Sequence, residues 1–198
     1  MALEHAIMTS LAERPGTGYE IGQQFSRSIG HFWSATHQQI YRTLKKLHSD
    51  GLVSFESVAQ DGRPDKKVYT LSAKGRTALR DWVGTPTEPQ QLRDELGVKI
   101  RAAEAADLPQ LIGELRRQRA VHEERLRLYQ EFEKHDFPDP SALNLRKLKQ
   151  HLVLRGGVRI EVGFIDWCDE VIAALEGVVD TSSNTDHTAS PRDQRGSP

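Results

Sequence analysis

The sequence predicts a mostly α chain with a small β-hairpin: an N-terminal tri-helical unit completed by the hairpin, then an all-α C-terminal domain. Three observations predict it. Apolar residues recur at helical spacing from Leu3 to Leu47. The period becomes that of strands between Leu52 and Leu71, around the turn signal Asp61-Gly62-Arg63-Pro64-Asp65. Beyond Pro89 no strand signal remains.

A chain of 198 residues can hold one medium or two small domains with real cores. With 37% apolar and 28% charged residues, it reads as a globular chain, polar for its size. The longest uncharged apolar stretch, Val171 to Leu175, is far too short to span a membrane. The opening MALEHAIMTS lacks a basic n-region and a small-residue cleavage site, so no secretory signal is expected. The lone Cys168 excludes an internal disulfide and an all-cysteine zinc site. A cytoplasmic location is the simplest expectation.

Taking the elements in order, Leu3, Ile7 and Leu11 mark one face of a first helix, which Pro15-Gly16 ends. A second helix is predicted from Tyr19 to Ile29, capped by Thr17, striped by Ile21, Phe25 and Ile29, and stopped by Gly30. Gly16-Thr17-Gly18-Tyr19-Glu20-Ile21-Gly22 faintly suggests a dinucleotide loop, but it follows a helix and reads as a helix–turn–helix joint. After His31-Phe32-Trp33, the run Ser34-Ala35-Thr36 offers an N-cap. The third helix carries Ile40, Leu44 and Leu47 inward and ends at Gly51. Leu52, Val53, Phe55 and Val58, then Val68, Tyr69 and Leu71, form the hairpin strands. Ser72 caps a fourth helix whose Leu79, Trp82 and Val83 should face inward.

The domains divide accordingly: residues 1–84, a linker at 85–91, a helical domain at 92–179 and a disordered tail at 180–198. In the helical domain Leu92, Leu96 and Ile100 mark a short helix. Asp107 with Gln110 resembles a capping box, and Pro109 suits a first turn. The long helix behind them carries Leu108, Leu111, Leu115, His122, Leu126, Tyr129 and Phe132. A last helix is predicted from Ser141 to Val178; the tail after it has no Val, Ile, Leu, Met or aromatic residue with which to build a core.

Nothing in the chain resembles a phosphate loop, a zinc-protease motif or a hydrolase elbow, so no catalytic residues are expected. The third helix is the informative element. Opposite its core stripe lie Gln38, Arg42, Lys45 and Ser49, flanked by Gln39, Lys46 and Tyr41, with no acid before Asp50. Arg and Lys can donate to guanine or phosphate, and Gln can pair with adenine. The same face also suits an ordinary solvated helix. Its context, third in a tri-helical unit, is where a helix-turn-helix puts its reader. The hairpin adds Arg63, Lys66 and Lys67, as the wing of a winged helix-turn-helix would. Residues 1–84 carry 11 Lys and Arg against 8 Asp and Glu, whereas residues 85–198 carry 16 against 20. A winged helix can also serve as a protein-interaction module without an operator.

Tyr41-Arg42-Thr43-Leu44-Lys45-Lys46-Leu47-His48-Ser49-Asp50-Gly51-Leu52-Val53, Gly62-Arg63-Pro64 and Lys67-Val68-Tyr69-Thr70-Leu71-Ser72-Ala73-Lys74-Gly75-Arg76 resemble the PadR family of bacterial transcriptional regulators. Gly18-Tyr19-Glu20-Ile21 and the link through Trp33 fit the same pattern. The resemblance is specific over residues 3–83. Beyond them it rests on architecture, Glu95-Leu96-Gly97-Val98-Lys99-Ile100-Arg101 and the Trp167 region. It implies a homodimeric repressor on an inverted-repeat DNA operator, released in some members by a small effector such as a phenolic acid.

On this reading Gln38, Gln39, Tyr41 and Arg42 meet bases, Lys45 is shared, and Lys46, Arg63, Lys66 and Lys67 meet phosphates. Leu154, Val158, Glu161, Ile165, Cys168, Ile172 and Leu175 follow the spacing of a helix packed on a helix, polar only at Glu161. Six of them, Leu154, Val158, Ile165, Cys168, Ile172 and Leu175, are the expected dimer seam; the spacing equally suits an intramolecular helical hairpin. Gly156, Gly157 and Gly163 are costly inside a helix unless another helix approaches closely. Tyr19, Trp33 and Trp82 are candidate effector-pocket residues or simple packing. No cofactor and no metal site are expected.

Overall fold

In the computed structural model, residues 2–25, 35–60, 63–89 and 94–186 are described. The chain divides into two compact units, Met1–Gln90 and Gln91–Pro198.

The first unit runs α1 (Ala2–Glu13), β1 (Gly16–Thr17), α2 (Gly18–Gln24), α3 (His37–Ser49), β2 (Val53–Gln60), β3 (Arg63–Leu71) and α4 (Ala73–Val83). Its core gathers Ile7 and Leu11 from α1, Ile21 from α2, the stripe Ile40, Leu44 and Leu47 of α3, and Val53 and Leu71 of the hairpin. Predicted Ile29, Gly30 and the link through Trp33 lie outside the described residues.

Three features depart from the sequence reading. Gly16-Thr17 is a short strand as well as a joint: Gly16 pairs with Tyr69 and Thr17 with Val68, giving an antiparallel sheet in the order β1-β3-β2. The predicted five-residue turn is tighter, because pairing continues to Gln60 opposite Arg63 past a bulge beyond Val58. On α4 only Leu79 packs against the core, while Trp82 and Val83 are exposed. Trp82 instead stacks on His5 at 4.2 Å.

The end of α3 is fixed by its backbone. Gly51 takes φ +71°; its N–H donates to the His48 carbonyl at 3.0 Å and that of Leu52 to Leu47 at 2.9 Å. This paired arrangement needs a residue at ease in the left-handed region, hence glycine. At Gly75 a Cβ would run into the Leu52 carbonyl oxygen, so glycine lets α4 start directly against the α3–β2 turn.

The second unit comprises α5 (Glu95–Ala102), a 3-10 turn (Ala105–Asp107), α6 (Leu108–Asp136), a second 3-10 turn (Pro140–Ala142) and α7 (Leu145–Asp186). Asp107 forms no capping box with Gln110; its carboxylate accepts from the Glu104 N–H at 3.0 Å and closes the preceding turn. The last helix extends to Asp186, past the position where the sequence reading begins a disordered tail; residues 187–198 lie outside the described residues.

Helices α6 and α7 form an antiparallel hairpin, as the pairs Arg119–Asp169 and Glu133–His151 show. One end packs Leu111, Ile112 and Leu115 against Cys168 and Ile172; the other packs Tyr129 and Phe137 against Leu154 and Val158. This corrects the expected dimer seam. Leu154, Val158, Ile165, Cys168 and Ile172 are buried within one chain, and Leu175 packs partly buried on the same core. Their 4-3 spacing announces a helical neighbour, and that neighbour is α6. The polar exception Glu161 is 4% exposed and is held by His122 and, at 3.4 Å, by Arg125.

Candidate nucleic-acid interface

The leading end of α3 is organised by Thr36. Its hydroxyl accepts from the Gln39 N–H at 3.2 Å, and the Gln39 side-chain oxygen accepts from the Thr36 N–H at 2.8 Å. This reciprocal cap satisfies two otherwise orphaned donors. With Ile40, Leu44 and Leu47 buried, the opposite face is turned to solvent, and Gln38, Tyr41, Arg42 and Lys45 are all exposed on it. Gln39 is exposed too, but its oxygen is committed to the cap, leaving only the amide NH2 for a base.

Lys46, expected to meet a phosphate, is paired within the chain. Its ammonium lies 3.0 Å from Glu4 of α1 and 3.1 Å from Asp50. The hydrogen bond to Glu4, followed by that to Asp50, raises its pKa above the ordinary lysine value. A charge held by two carboxylates is a tether between α1 and α3 before it is a phosphate ligand.

The wing places its two lysines differently. Side chains alternate along a strand, so Lys67 shares a face with Tyr69 and Leu71, and Lys66 takes the other. Lys67 extends over the Phe55 ring at 4.3 Å, and that ring meets His48 of α3 at 4.7 Å. The Lys66 charge instead favours the Glu20 carboxylate. Glu20 sits below its ordinary pKa mainly because it accepts the Thr17 N–H at 2.7 Å, then the Thr17 hydroxyl. Arg63 opens β3 opposite Gln60.

The residues weighed as an effector pocket have these surroundings. Tyr19 stacks on His37 and Trp82 on His5, and Trp33 lies outside the described residues. His37, the first residue of α3, was weighed in the sequence only as a metal ligand and set aside; the structure places it against Gly22 of α2 and parallel to the Tyr19 ring. Gly18 and Gly22, four apart, were the available signal: a Cβ at either would strike Tyr41 or His37. Among the described residues no helix is long and apolar enough to cross a membrane.

Four helices, a three-stranded sheet with an extended hairpin, and an exposed third helix lined by amides and cations define a winged helix-turn-helix protein. Residues 7–81 match the model of the PadR-like family of transcriptional regulators, and residues 92–176 match the virulence activator alpha C-terminal family. A relative in Mycobacterium tuberculosis, described as a probable transcriptional regulator, is 46% identical over 89% of this chain and 98% of its own. The virulence activator AphA of Vibrio cholerae is 34% identical with a TM-score of 0.75, over 89% of this chain and 99% of that one. PadR of Bacillus subtilis in complex with operator DNA is 27% identical with a TM-score of 0.77, over 88% and 99%. The same PadR has also been solved with p-coumaric acid. The chain belongs to the PadR-like family of transcriptional regulators.

Proposed function

We propose that this chain is a homodimeric, cytoplasmic repressor that reads an inverted-repeat operator upstream of its own or a neighbouring gene. The observation that carries the reading is the outward face of α3, where Gln38, Tyr41, Arg42 and Lys45 are exposed together without a carboxylate among them. These side chains enter the major groove, with Gln38, Tyr41 and Arg42 on bases and Lys45 shared with the backbone. The Gln39 amide NH2 is left for an adjacent base. Lys67, Lys66 and Arg63 take phosphates beside the groove. The relative PadR, solved on operator DNA, supports this placement.

The second copy docks on the side of α7 turned away from α6. That face exposes Leu145, Leu152, Val153 and Ile160, the last by 62%. Gly156 and Gly163, seven apart on it, have nothing within 4 Å of a built Cβ. A partner helix that comes close to this backbone offsets the roughly 1 kcal/mol that each glycine costs a helix. Two-fold pairing also doubles the bases read, which one recognition helix needs for genomic selectivity. Release by a small aromatic acid is supported by the p-coumaric acid complex of the same relative.

Activation is the second reading, favoured by the 34% identity to the virulence activator AphA. Footprinting on the gene's upstream DNA, together with transcript levels after deletion, tests both. Two protected half-sites about one helical turn apart with raised transcript support repression. Lowered transcript over the same footprint supports activation, and no footprint overturns the reading.

A further inference from the structure

The contact between α2 and α3 is built from glycine on one side and aromatic rings on the other. Gly18 backs the Tyr41 ring and Gly22 backs the His37 ring, each so closely that a Cβ would clash. These rings are not core: Tyr41 is 50% exposed and His37 is exposed as well. Tyr19, on the first turn of α2, lies parallel to His37 with 6.1 Å between ring centroids and is 57% exposed. Its hydroxyl oxygen accepts from Gln23 Nε2 at 2.8 Å. That bond uses one lone pair of the oxygen, and the hydroxyl keeps its own hydrogen with which to donate.

Resting on the DNA-reading function above, we propose that Tyr19 is a further DNA-contact residue, its hydroxyl donating to a phosphate oxygen, with His37 and Gln23 as the side chains that position it. In a helix-turn-helix the helix before the reader crosses the backbone strand flanking the groove. Tyrosine hydroxyls are among the groups that make such contacts, which fix register without reading sequence. A neutral hydroxyl aimed by an amide and a stacked ring suits an anionic oxygen, and burial does not explain it.

The test is Tyr19→Phe in the full chain, which keeps the ring and removes only the donor. Affinity is measured by fluorescence anisotropy on the gene's upstream duplex and on a scrambled duplex, across a salt series. The expected result is a loss of roughly tenfold on both duplexes, the scale of a hydrogen bond to a charged acceptor. The salt slope should match that of the parent, because no charge is removed. A variant that binds both duplexes as tightly as the parent overturns the inference while leaving the DNA-reading function intact. A loss confined to the upstream duplex overturns it too, by making Tyr19 a base reader. A parent chain that binds neither duplex overturns both.

Discussion

The ammonium of Lys67 lies 4.3 Å from the centroid of the Phe55 ring, and that ring in turn meets His48 on the last turn of α3. A cation over an aromatic face is attracted by the ring quadrupole. The wing's charge is therefore aimed by a side chain braced against the reading helix. Lys67→Ala should weaken operator and scrambled DNA equally and lower the salt slope by about 1. Phe55→Leu should keep the slope and lose about two- to fivefold in affinity, the worth of an exposed cation–π contact. Anisotropy across a salt series reads both, and a loss by Lys67→Ala on the operator alone would contradict the assignment.

Arg42 and Lys46 sit four apart on α3 and should behave in opposite ways. Arg42, exposed on the outward face, should cost about 1–3 kcal/mol on the operator when replaced by Ala and relax sequence preference. Lys46 is already paired with Glu4 and Asp50. Lys46→Ala should leave DNA affinity within about threefold and thermal stability nearly unchanged, as expected of exposed pairs. Equal losses in binding from the two variants would show that the Lys46 pairing yields to DNA.

Glu161 is the polar residue in the α6–α7 seam, held by His122 and Arg125. Its replacement by Ala strands the partly buried His122 imidazole without its acceptor. Thermal unfolding should show a loss of about 1–3 kcal/mol, the cost of an unsatisfied buried polar group. A variant as stable as the parent would mean that water serves His122 equally well.

The face of α7 that bears Gly156 and Gly163 is open in the single chain. Placing Leu at both positions adds bulk where a second copy must approach, while improving helix propensity. Sedimentation velocity should then find monomers with undiminished helical circular dichroism. Intact dimers would move the interface to another surface.

The cap at the start of α2 gives a pH dependence of known sign. Glu20 accepts from Thr17, which lowers its pKa below the ordinary 4.5. A depressed carboxylate contributes stability that is complete above the unfolded value and is lost as pH falls through the folded one. The Thr17 amide resonance should therefore shift on acidification below about 4.5, its ordinary value, and Glu20→Gln should abolish the shift. A Thr17 resonance that titrates unchanged in Glu20→Gln would assign the shift to another group.

The tri-helical core was legible because Ile40, Leu44 and Leu47 repeat locally, and each is buried as that spacing requires. The outward face of α3 was legible for the same reason. Strand β1 was not, since Gly16 and Thr17 gain strand character only by pairing with Tyr69 and Val68, some fifty residues away. The role of Gln39 is legible in Thr36-x-x-Gln39, a capping-box spacing that the assignment of Gln39 to the reading face left unused. The pairing of Lys46 with Glu4 depends on how α1 crosses α3, which no local pattern records. The seam on α7 shows the ambiguity most plainly. Spacing from Leu154 to Leu175 specifies a helical neighbour and leaves its chain unspecified, and α6 occupies it.

Titrating the purified chain by fluorescence anisotropy against its own upstream DNA and a scrambled duplex, from low to physiological salt, tests the central claim most directly. The account predicts a preference of at least about 10³ for the upstream fragment, with affinity falling steeply as salt rises. Absence of binding to either duplex at low salt would contradict it and leave the exposed face of α3 as a surface for a protein partner.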